Sequence, residues 1–93
     1  MKITSKLKSD INNFSVFAHN SIEWVWAHEN KDYKLGGFES VYHAITKFIY
    51  ENSDQGINFT IRDIEIALKL NSVKHCPKPS AIERRIIRLM KKC

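Results

Sequence analysis

The 93-residue sequence predicts an all-α domain of four or five helices with a C-terminal helix-turn-helix-like pair over residues 60–92. Three observations carry this expectation. The chain holds three Gly and two Pro, too few for the many tight turns of a β-sandwich. Apolar residues recur at spacings of three and four over most of its length, which is the helical period. Two tetrapeptides, Thr60-Ile61-Arg62-Asp63 and Ser80-Ala81-Ile82-Glu83, have the form of helix-initiating capping boxes. At 43% hydrophobic and 27% charged, the composition is that of a globular chain, and its length suits one domain with a modest core.

The elements follow in order. Ile3, Leu7, Ile11, Phe14 and Phe17 draw one apolar stripe, which predicts a helix over 3–18. Residues 21–29 fit two patterns. Ile22, Trp24 and Trp26 alternate as in a strand, whereas Ile22, Val25, Trp26 and Glu29 fit a short helix capped by Asn20 or Ser21. The helix is preferred, and a small hairpin through Asn30-Lys31-Asp32 is the competitor. Lys34-Leu35-Gly36-Gly37 breaks the chain. Phe38, Val41, Ile45, Phe48 and Ile49 then predict a helix, with Gly56 as its stop. Thr60 opens the next helix, with Ile61, Ile64 and Leu68 on its buried edge. Pro77 and Pro79 make 71–78 a connector.

The last helix is the best specified. Ser80 and Glu83 are spaced to exchange hydrogen bonds with each other's backbone amides. Ile82, Ile86, Leu89 and Cys93 line one side. At 100° per residue, Arg84, Arg85, Arg88, Lys91 and Lys92 fall within about a third of the opposite circumference.

Charge points to the same helix. Residues 71–93 carry seven basic residues against one acid, Glu83, a net of +6, while the whole chain is +5. The remaining seventy residues are therefore close to neutral. A basic helix on a neutral domain predicts a polyanion partner, double-stranded DNA first. Arg84, Arg85 and Arg88 suit guanine edges or phosphates because the guanidinium fork donates two hydrogen bonds at once. Ser80 and the first helical amides could hold a phosphate, and Lys91 and Lys92 would touch the backbone. Five phosphate contacts would give a slope of log affinity against log salt of about −4 to −5. The plainer alternative is a solvated amphipathic helix, since cations favour any last helical turn. An acidic protein surface would also select such a helix, so a protein-binding adaptor or mobile-element inhibitor is the rival function.

Other chemistry finds little support. The histidines, His19, His28, His43 and His75, show no chelate spacing, so no metal or other cofactor is expected. Cys76 beside His75 would need a geometry that sequence neighbours seldom reach, so no catalytic residue and no enzyme activity are expected. Met1 to Ser5 lack a leader's apolar run and no stretch approaches a membrane span, which predicts a cytoplasmic protein with reduced thiols. Trp24 and Trp26 are first read as core, and otherwise as a partner or homodimer interface.

The stretch from Gly37 to Leu89 resembles the C-terminal DNA-binding effector domain of the sporulation master response regulator of endospore-forming bacteria. The matching pieces are Gly37-Phe38, Val41 and Ala44-Ile45, then Thr60 to Leu70 at the scaffold helix. Pro79-Ser80-Ala81-Ile82-Glu83-Arg84-Arg85-Ile86-Ile87-Arg88 is similar to that family's recognition helix. The connector before it is longer than in the family. The resemblance implies a small accessory transcription regulator in which Ser80, Glu83, Arg84 and Arg88 face DNA or order the helix at its surface.

Overall fold

The computed structural model describes residues 2–28, 37–53, 60–68 and 76–91, and it leaves the side chains of 24–28 and 37–40 undescribed. Within these residues the chain is all-α, with four helices: α1 (Ser5–His28), α2 (Gly37–Asn52), α3 (Ile61–Leu68) and α4 (Pro79–Lys91). Each helix packs on its neighbour in sequence, and α4 closes the ring by packing most extensively on α1. The 24 residues of α1 span about 36 Å at 1.5 Å per residue, which matches the 39 Å long axis of the molecule.

The first two sequence segments are one helix. Neither Asn20 nor Ser21 caps a second start. The Ser21 hydroxyl donates to the Phe17 carbonyl at 2.9 Å, four residues back, so its polar group is satisfied inside a continuous helix. Ser15, fully buried, does the same with Ile11 at 2.7 Å. The cap lies upstream at Thr4, whose hydroxyl accepts the Leu7 amide at 3.2 Å. The competing hairpin at residues 30–32 lies outside the described residues, as does the Gly56 stop.

Continuity also corrects the buried stripe of α1. From Ile11 the core follows Ser15, Ala18 and Ile22, all fully buried, at the i, i+4, i+7, i+11 recurrence of a helical face. Phe17 lies about 120° away from Ile11 around the helix and is 54% exposed. Phe14 sits between them, half-buried, and stacks on Phe48 of α2 with ring centroids 4.4 Å apart and planes 4° from parallel.

The other helices bury the expected sides. Val41, Ile45 and Ile49 of α2 meet Ile64 and Leu68 of α3 and Ile82, Ile86, Leu89 and Met90 of α4 in one core. Met90 is fully buried, an inner position that the apolar spacing did not pick out. Cys93 lies outside the described residues. The Thr60 box forms in both directions: the Thr60 amide donates to Asp63 Oδ2 at 2.7 Å, and the Asp63 amide donates to Thr60 Oγ1 at 3.3 Å. Asp thus replaces the usual Glu with one fewer methylene and still reaches.

Candidate nucleic-acid interface

The basic helix α4 is seated by its two flanks. On the α1 side, Asn12 Nδ2 donates to Glu83 Oε2 at 3.2 Å. Two residues before α4, the Pro77 carbonyl lies 2.6 Å from His19 Nδ1. Because that oxygen can only accept, Nδ1 carries the proton of this bond. Position rises along the α4 segment, from 77 to 83, as it falls along α1, from 19 to 12, so the two helices run antiparallel. On the α3 side, Arg85 Nη1 donates to the Leu68 carbonyl at 2.8 Å.

These contacts revise two expectations. The Ser80/Glu83 box does not form. The helix begins at Pro79, and the amides of Ala81 and Ile82 donate to the Lys78 carbonyl at 2.9 and 3.1 Å. Proline fits the first helical position, where its missing N–H costs nothing and its fixed φ is already helical. Ser80 is therefore the second helical residue, exposed, and Glu83 turns to α1 instead of back to Ser80. Arg85 also leaves the open basic face. It is half-buried and donates to the carbonyl of Leu68, the last described residue of α3, which fixes its guanidinium against that helix.

The remaining described cations of α4 hold one face. Arg84, Arg88 and Lys91 are all exposed, with Ser80 beside them and Lys78 exposed just before the helix. Directly beneath, Ile82, Ile86, Leu89 and Met90 are buried, so the face cannot rotate inward without exposing the core. No acid falls among these positions; Glu83 lies at the margin on the α1 side. Lys92 lies outside the described residues. Trp24 and Trp26 belong to the last turns of α1, and their side chains lie outside the description.

An open polar groove of about 340 Å³ lies along α1 beside Glu83 of α4, lined by Ser5, Lys8, Ser9, Asn12, Asn13 and Glu83. On the same side of α1, Cys76 Sγ lies 3.3 Å from His19 Nδ1 and within 3.6 Å of the His19 and Pro77 carbonyls. His19 Nε2 lies 3.3 Å from Glu23 Oε2. Thiol, imidazole and carboxylate thus form a chain with the superficial order of a nucleophilic triad. The nitrogen nearest sulfur is the one that donates to Pro77, so it is not a free base for the thiol. Burial, reinforced by the charge of Glu23, pushes the Cys76 thiol up to about 11. The group keeps its proton and ties the connector to α1. The sulfur and the carboxylate approach opposite ring nitrogens, so they do not converge on one point. Among the described residues no cluster of three His, Cys, Asp or Glu side chains could hold a metal ion. The partner of Cys76 is His19, 57 residues away, a pairing that no local spacing reveals.

Among the described residues no helix is long and apolar enough to cross a membrane. No known family model, curated protein or solved structure matches the chain.

Proposed function

We propose that this chain is a small DNA-binding regulator of transcription that lays the exposed face of α4 against duplex DNA. The observation that carries this is the isolation of Arg84, Arg88 and Lys91 on one open face, while Arg85 is held by α3. Arg84 and Arg88 are one helical turn apart, so their forks meet successive points along a groove. The 13 residues of α4 make a rod of about 20 Å, and a single α-helix fits the major groove of B-DNA. Lys78 and Lys91 mark the two ends of the face and suit phosphates on either side of that groove.

The seat of this helix differs from that of a simple helix-turn-helix. The connector that Pro77 and Pro79 predict, residues 71–78, is longer than the three or four residues of the usual turn. Here α1 and the Arg85–Leu68 bond hold α4 where a short turn would otherwise do so. One short helix supplies limited affinity, so two copies on paired half-sites complete the proposal.

Binding to a random duplex and to a genome-selected fragment, titrated with salt, tests it. Three to four phosphate contacts give a slope of log affinity against log salt of about −3. The Arg84→Ala/Arg88→Ala variant loses most of the affinity while keeping its helical circular dichroism. A folded double variant that binds DNA as tightly as the parent overturns the proposal. So does a parent that ignores DNA but forms a stoichiometric, nuclease-resistant complex with one acidic protein, which is the outcome expected of an adaptor or inhibitor.

A further inference from the structure

The polar groove beside α4 has a chemistry that the helix face alone does not use. Its α1 wall is Ser5, Lys8, Ser9, Asn12 and Asn13: one ammonium, two hydroxyls and two carboxamides, all able to donate hydrogen bonds. The groove's one acid, Glu83, is half-buried and accepts from Asn12. That bond uses one of the two N–H donors of the Asn12 amide and leaves the other. Asp10, the one acid in the N-terminal half of α1, points about 100° from Ile11 on the side of Phe14, away from α4. The wall is therefore donor-rich and carries a cation, and Lys8, Ser9 and Asn13 on it are exposed, as are Arg84 and Lys91 of the adjoining helix.

The antiparallel pairing sets the register. Asn12 is opposite Glu83, and Pro77 is opposite His19, so Lys8 and Ser5 flank the last turns of α4. A duplex lying on the α4 face carries a phosphate ridge on each side of the engaged groove. One ridge then passes over α1.

We propose that this groove seats a backbone phosphodiester of the same duplex, held by Lys8, Ser9 and Asn13, with Asn12 contributing its second N–H. The proposal rests on the reading of α4 as a DNA-contacting helix. It adds α1 as the element that sets the orientation of the duplex, independent of base sequence. The contact is to phosphate, so it strengthens binding to all sequences alike.

Lys8→Gln and Asn13→Asp test it, both at exposed positions. They are compared with the parent and with Arg84→Ala/Arg88→Ala in salt titrations on duplex DNA. Lys8→Gln lowers the steepness of the salt slope by about 1 and weakens binding about five- to tenfold at 0.1 M salt. Asn13→Asp weakens binding by like-charge repulsion to a similar degree on random and selected duplexes. In the parent, the side-chain amide resonances of Asn12 and Asn13 shift on addition of DNA. If both single variants match the parent in affinity and slope while the double arginine variant loses binding, the groove is not a phosphate seat and the α4 face stands alone. If the parent itself does not bind DNA, both fail together.

Discussion

Arg85 Nη1 donates to the Leu68 carbonyl at 2.8 Å, tying the first turns of α4 to the last turn of α3 across 17 residues of chain. The bond is part-buried and its donor is a charged guanidinium, so it is of the stronger, charge-assisted kind. Arg85 is half-buried and Arg84, its neighbour, is exposed. Two adjacent arginines therefore have separate duties: one holds the helix and the other is open to a partner.

The two arginines should separate in stability measurements. Arg85→Ala removes a part-buried, charge-assisted hydrogen bond, which costs about 1.5–3 kcal/mol. Arg84→Ala lies on the surface and stays within about 0.5 kcal/mol of the parent. Urea unfolding of the two single variants measures the difference. Equal stabilities would remove Arg85 from its structural role.

The two boxes make a second contrast. Thr60 and Asp63 exchange hydrogen bonds, so Thr60→Ala costs about 1 kcal/mol. Ser80 is already inside α4 and exposed, and Ser80→Ala changes stability by no more than about 0.5 kcal/mol. A Ser80→Ala cost equal to that of Thr60→Ala would mean that the helix starts at Ser80 after all.

How far the fold is legible follows from these residues. The buried sides of α2, α3 and α4 are visible as apolar spacing because Ile and Leu recur there at three and four residues, although Ile66 of α3 stays 55% exposed. The length of α1 is not, because Asn20 and Ser21 suit a cap and a helix interior equally until Phe17 offers its carbonyl. In α4, Ser80 and Pro79 compete for the helix start, and proline's fixed φ decides. The face of Arg84, Arg88 and Lys91 follows from phase alone. Arg85 lies only about 60° around the helix from Ile82, on a flank where the neighbouring helix, not the period, decides whether a side chain is free. The groove of α1 was invisible for the same reason: Asn12 and Glu83 are 71 residues apart.

The phase of α1 can be checked by truncation. Ile22 is fully buried, and Ile22→Ala costs about 2–5 kcal/mol. Phe17 is half in water and touches Phe14 with ring centroids 5.7 Å apart. Phe17→Ala therefore costs about 1 kcal/mol or less, although it removes more atoms. The stacked pair Phe14 and Phe48 should show a coupling of about 0.5–1.5 kcal/mol in a double-mutant cycle to leucine. A larger loss at Phe17 than at Ile22 would mean that the core stripe runs through Phe14 and Phe17.

The Cys76 thiol gives a test of the connector's docking on α1. Folded, it is pushed up to about 11 by burial and by Glu23, and it lies among the carbonyls of His19 and Pro77. The thiolate is the reactive form. Near pH 8, a rise of two units from the ordinary value of 9.0 lowers its population about 100-fold. In a Cys93→Ser background, iodoacetamide should therefore label Cys76 about 100-fold more slowly in the folded protein than in urea. The linkage has a definite sign. A thiol whose folded value is raised binds more protons folded than unfolded between about pH 9 and 11. Its contribution is present in full below that window and is lost as pH rises through it. Cys76→Ser should flatten the fall in stability over those two units. A labelling rate equal to that of the unfolded chain would place the sulfur in open solvent and detach residues 76–78 from His19.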